Sequence, residues 1–263
     1  MRVSYRFLIS FLALASVLSL GCSSPEPATT PEPEAIAAPS GIAETELSAL
    51  ESSESKKAAR SAVPDGDRAT IAYVAACLNK AIGSGDTVVT ETAFPVGLLD
   101  RTELGTYFGT SPAGGLGWGL GAALGLKLGR PDRRVIAVIG DGSYMFGNPT
   151  PAHFVSAAND LPFLTVILNN AMWGAVRRAT LSIYPEGSAA VSNRAPLTYL
   201  EPAPEYQKIV EASGGYGEKV ERASDLPAAL ERALHEVGVN GRQAVLNVMT
   251  AYSDTDAKRD AKR

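Results

Sequence analysis

The chain has 263 residues, a formal net charge of −4, and 45% hydrophobic against 20% charged residues. That balance excludes disorder over most of its length, and the absence of a long basic run excludes nucleic-acid binding as the main role. Two cysteines, Cys22 and Cys77, cannot build a disulfide scaffold or a cysteine-rich zinc site, and His153 and His235 lie in no HExxH pattern.

Residues 1–22 place Arg2 and Arg6 ahead of the apolar run FLISFLALASVLSLG and read as an export signal. The run is marginal for a bilayer span, which needs about 20 apolar residues. It ends L-S-L-G-C, similar to the bacterial lipoprotein cleavage box, although Ser19 stands where leucine is commoner. The similarity implies a lipidated Cys22 and an extracytoplasmic, membrane-anchored protein. The alternatives are an uncleaved anchor, or a leader set before a cytoplasmic enzyme. Residues 23–67 are rich in Ser, Pro, Glu, Thr and Ala and read as an extended tether, with room for a short helix over 43–60. Residues 253–263 form a solvated charged tail.

Residues 68–252 alternate helix and strand. Ile71, Val74, Ala75, Leu78 and Ile82 recur at helical spacing, and GSGD stops that helix. TVVTE (87–91) is a short strand, and the glycine-rich run 113–129 predicts a tightly packed helix after its first turn. RVIAVIGD (134–141) and FLTVILN (163–169) are apolar without alternation, as buried parallel strands are, and one crossover helix over 150–159 joins them. An irregular stretch rich in proline and aromatics runs to about Glu205. Helix 204–213, strand YGEKV, helix 225–238 and strand QAVLNVM follow. Leu226, Leu230, Leu234 and Val237 share one face of the last helix, which Ser224 or Asp225 can cap. The alternation predicts an α/β fold, a three-layer αβα domain around a mostly parallel sheet.

GDG at 140–142 and NN at 169–170 each end a predicted parallel strand. Neighbouring strands lie about 4.8 Å apart, so both motifs fall at one carboxyl edge, where open α/β sheets bind ligands. Asp141 and Asn170 can then aim hard oxygens at one point, which suits Mg²⁺ shared with phosphate and water. Gly142 and Ser143 can offer backbone N–H groups to an anion. A competing pattern is Gly117-x-Gly119-x-x-Ala122 with Asp141 further on, a loose dinucleotide fingerprint that would make this an NAD-binding domain. Its glycines run on into the helix, however, as close-packing glycines do.

TETAFPVGLL, SPAGGLGWGLGAALGLKLGRPDRRVIAVIGDGSYMF and LPFLTVILNNAMWGAV resemble the C-terminal diphosphate-binding domain of thiamine-diphosphate enzymes, the acetolactate synthase and benzoylformate decarboxylase-like group. The resemblance spans roughly residues 68–250. It implies thiamine diphosphate and Mg²⁺ as cofactors. It also implies that Asp141, the side-chain oxygen of Asn170 and the backbone carbonyl of Met172 hold the metal. Gly142, Ser143, Trp173 and Gly174 would line the diphosphate, with Ala93 closing the other side. Gly114 would accept from the aminopyrimidine, and Leu116 would prop the cofactor into its bent form. Ala171 departs from the family, which usually has glycine after NN.

The family's activating glutamate comes from a domain that nothing in this chain matches, and Glu91 reads as structural. The resemblance therefore implies half of a 2-oxo acid lyase or transferase, inactive alone and with no catalytic side chain of its own. The glutamate would come from a separate chain. An apolar surface around Gly114, Leu116 and Trp118 would be covered by that partner or by self-association. A cofactor-binding lipoprotein without catalysis is the alternative.

Overall fold

The computed structural model describes residues 67–91, 94–110 and 115–251. The leader, nearly all of the tether, the charged tail, Ala93 and Gly114 lie outside the described residues.

Helix α1 (Ile71–Ala81) begins at Thr70, whose hydroxyl accepts from the Tyr73 amide at 3.1 Å. It buries Val74, Ala75 and Leu78 of the predicted stripe, while Ile71 is half-buried and Ile82 is buried just past the helix end. Strand β1 (Thr87–Glu91) leads through a 3₁₀ turn (Val96–Leu98) to the two-residue edge strand β2 (Tyr107–Phe108), which is too short to show a pattern in sequence. The glycine helix α2 (Trp118–Gly129) starts after Gly117, which takes a left-handed φ of 85°. A Cβ there would stand 2.7 Å from the Gly147 Cα, so two backbones meet without side chains between them.

Strand β3 (Val135–Gly140) runs directly into helix α3 (Asp141–Phe146), and α4 (Pro149–Ala158) follows. The single crossover helix expected here is thus two. They break at Asn148, which takes a φ of 48° ahead of Pro149. Beyond β4 (Leu164–Asn169), the stretch expected to be irregular holds helices α5 (Gly174–Ile183) and α6 (Ser188–Val191). Helix α5 buries only Arg177. Helix α7 (Gln207–Glu211) is shorter than expected, and β5 (Tyr216–Val220), α8 (Leu226–Gly238) and β6 (Ala244–Met249) complete the chain of elements. Asp225 sits at the N-terminus of α8 without capping it, because its carboxylate pairs with Arg222 at 3.0 Å.

The strands form one sheet in the order β2-β1-β3-β4-β6-β5, and every pairing is parallel. Helices cover both faces. Ile136 and Val138 of β3 point into a cluster with α1 and α8, where Leu226, Leu230, Leu234 and Val237 are buried. Val135, Ala137 and Ile139 point the other way, toward Leu120 and Ala123 of α2 and toward Tyr144, Phe163 and Tyr206. Each fully buried side chain of this size stabilises the fold by about 1.5–3 kcal/mol, and the alternation along β3 fixes which neighbours it meets. The result is the α/β arrangement that the sequence predicts, with β3 and β4 adjacent as required.

Candidate functional site

Gly140 pairs with Leu168, and Asn169 with Met249, so β3, β4 and β6 end together at one edge. A cavity of about 510 Å³ opens there. Leu116, Asp141, Gly142, Ser143, Asn170, Met172, Trp173 and Gly174 all line it, although they come from three separate segments.

Asp141 is 2% exposed. Its carboxylate accepts from the Gly142 amide at 2.9 Å and from the Met172 amide at 3.2 Å, tying the two strand ends together. Burial pushes its pKa up to about 6, against the pull of these backbone N–H groups. The Gly142 N–H, expected to face an anion, is therefore occupied by Asp141. Gly142 has a different role: a Cβ there would stand 2.7 Å from Cε3 of Trp173, so only glycine lets that ring lie against the strand end.

The two asparagines divide the work. Asn169 accepts from the Ala171 amide at 3.0 Å and donates to Asn247 at 2.9 Å, and Asn247 donates to Gln207 at 2.9 Å. This buried chain pins the turn, in which Ala171 is held at a φ of 55°. Asn170 Oδ1, by contrast, is buried with no hydrogen-bond partner among the described residues. An orphan amide oxygen beside a buried carboxylate is a costly arrangement unless a cation completes it.

Trp173 and Gly174 open helix α5, and no side chain caps it. The first-turn residues Gly174, Ala175 and Val176 line the cavity, so its uncapped N–H groups and positive dipole end suit an anion. The Trp173 amide donates to Thr198 at 2.7 Å and the Leu200 amide to Ala171 at 2.8 Å, which holds this helix start in place.

Helix α3, which begins with Asp141, is anchored from below. Tyr144 meets His153 Nε2 at 2.7 Å, and His153 Nδ1 meets Gln243 Oε1 at 2.8 Å. The Gln243 oxygen only accepts, so Nδ1 carries the proton and Tyr144 donates to Nε2. Burial lowers the pKa of His153, in keeping with a neutral structural imidazole. Tyr206 packs edge-on against Tyr144 with its hydroxyl buried and unpartnered, and burial, then the Asp141 charge, raise its pKa.

Glu91 also finds a structural place. Its Oε1 accepts from the Gly117 amide and its Oε2 from the Gly119 amide. The start of α2 is thereby occupied by a carboxylate, which leaves no room there for the pyrophosphate that the dinucleotide fingerprint requires.

Sequence reasoning missed Thr70, Ile71, Arg178, Thr250 and Ala251, all of which line the cavity. Thr70 and Thr250 arrive through a parallel bridge between Ala69 and Thr250, a contact between the two ends of the domain. No local pattern announces it.

Residues 92–248 match the family model for the thiamine pyrophosphate enzyme C-terminal TPP binding domain. The chain belongs to this family. Membership implies thiamine diphosphate as the cofactor, with Mg²⁺ usually bound alongside. Among its relatives, a probable acetolactate synthase of Mycobacterium bovis is 34% identical over 153 residues, which is 58% of this chain and 25% of that protein. A benzoylformate decarboxylase of Pseudomonas aeruginosa is 43% identical over 79 residues, 30% of this chain and 14% of that protein. Among solved structures, the thiamine diphosphate-dependent 4-hydroxybenzoylformate decarboxylase of Rhodococcus jostii RHA1 superposes with a TM-score of 0.62 at 27% identity, covering 73% of this chain and 34% of that one. The chain thus spans a quarter or less of the length of these curated relatives.

Proposed function

We propose that this domain binds thiamine diphosphate through Mg²⁺ and serves as the diphosphate-binding half of a 2-oxo acid decarboxylase or carboligase. The observation that carries the reading is the pairing of the buried Asp141 carboxylate with the orphan Asn170 oxygen at adjacent strand ends, beside the uncapped start of α5. Asp141 Oδ2, Asn170 Oδ1 and the Met172 carbonyl would hold the cation. The amides of Gly174 and Ala175, with Ser143, would meet the diphosphate. Leu116 and Trp173 would exclude water from the cavity and orient the organic part. When bound, the cofactor supplies an electron sink for the carbanion left by decarboxylation.

Within this reading, the glutamate needed for proton transfer on the pyrimidine comes from another chain, so the isolated domain turns over no 2-oxo acid. Calorimetry with thiamine diphosphate tests the core of the proposal. Binding should require Mg²⁺, and Asp141→Ala should cost on the order of 3 kcal/mol, the loss of a charged ligand. Equal affinity with and without Mg²⁺ would refute the assignment.

A further inference from the structure

Asp141 and Arg178 are the only charged side chains among the described residues that line the cavity. Arg178 stands on α5, one turn in from Gly174, and side chains on a helix lean toward its N-terminus. Its Nη1 lies 3.5 Å from the point where a Cβ on Gly174 would sit, and Asn170 Nδ2 lies 3.5 Å from the same point. The guanidinium is therefore at the Asn170 end of the cavity, where the cation and phosphate oxygens belong. Among the described residues it has no hydrogen bond or ion pair. Its neighbour Arg177 is committed elsewhere, buried and donating to Asn193 at 2.6 Å.

Charge balance points the same way. A diphosphate ester brings more negative charge than one divalent cation offsets, and Asp141 adds another. The start of α5 returns only about half a positive charge. We infer that Arg178 holds the terminal phosphate of the cofactor and so makes the site select diphosphate over monophosphate esters. This rests on the thiamine diphosphate reading above. A monophosphate ester has one phosphate to place, and placing it on the cation leaves nothing for the guanidinium. Charge-assisted hydrogen bonds of this kind are worth about 10- to 100-fold in affinity.

The test is calorimetric titration of the full chain with thiamine diphosphate and with thiamine monophosphate, each with Mg²⁺. Arg178→Gln should weaken diphosphate binding about 10- to 100-fold and leave monophosphate binding unchanged, while Arg178→Lys should recover much of the loss. Arg178 is exposed on its helix, so neither substitution should change the melting temperature. Equal losses for both esters, or no loss for either, overturn the inference about Arg178 alone. Failure of the unsubstituted chain to bind thiamine diphosphate overturns the cofactor reading, and this inference with it.

Discussion

The Glu91 carboxylate and the Gly119 backbone fit each other at a single distance: Oε2 accepts the Gly119 amide at 2.8 Å and would stand the same 2.8 Å from a Cβ on that residue. Helix α2 therefore approaches β1 closely enough for its first turn to be capped by a strand residue from inside the fold. Glu91→Ala should leave the buried amide of Gly119 and the half-buried amide of Gly117 without their acceptor. The expected cost is about 2–4 kcal/mol, read by urea unfolding. A loss below about 0.5 kcal/mol, as at an exposed site, would show that the cap carries no weight.

Ala171 occupies a left-handed turn at φ 55° where the family usually has glycine. An L-residue in that region costs about 1–2 kcal/mol, part of which glycine gives back through its freer unfolded chain. Ala171→Gly should therefore stabilise the domain by about 0.5–1 kcal/mol. Thermal denaturation should show a higher midpoint, and a lower one would mean that the turn is not strained.

Asp141 sets a pH dependence with a definite sign. In the cofactor-free fold it keeps its proton to about pH 6, whereas an unfolded chain releases it near the ordinary value of 3.8. Between these values the folded state binds more protons, so stability falls by about 2–3 kcal/mol as pH rises from 4 to 6 and levels off above. Bound Mg²⁺ favours the charged carboxylate, so its affinity should rise over the same interval. Urea titrations across that range check the slope, which Asp141→Asn should flatten. An unchanged slope in the variant would assign the effect to another group.

Helix α2 is apolar nearly all round, and Leu116, Leu128, Phe146 and Phe154 are exposed around it. A helix of that composition is normally enclosed. Gly121 and Gly125 have nothing within 4 Å of where a Cβ would stand. Gly125→Glu should therefore leave the fold at least as stable, because glycine within a helix costs about 0.5–1 kcal/mol. It should also shift sedimentation equilibrium toward monomer. Persistent association in that variant would place the contact elsewhere.

Cys22, the candidate lipidation site, lies outside the described residues. Cys22→Ser should release the protein from membranes into the soluble fraction. Unchanged partitioning would leave an uncleaved anchor or a misread start.

The parallel strands and the Asp141–Asn170 pair were legible because both follow local rules: unbroken apolar runs mark buried strands, and polar residues at their ends face the ligand edge. The capping role of Glu91 and the lock between Asn169 and Asn247 were not, since each depends on a contact between segments distant in the chain. Arg178 was hidden for a third reason. It is one of two adjacent arginines on its helix, and nothing local tells that Arg177 is buried while Arg178 stands exposed at the site. The glycines at 117, 119 and 142 were legible as a group but not in their individual roles, which come from particular neighbours: Gly147, Glu91 and Trp173.

The bridge between Ala69 and Thr250 brings the entry and exit of the domain side by side, and the Ala69 and Ala251 backbones are tied by a 2.9 Å hydrogen bond. Thr70 and Ala251 also line the cavity. Residues from both ends of the described domain therefore form part of the wall of the site. A domain with coincident ends can be inserted into a longer chain or appended to it without unthreading its sheet.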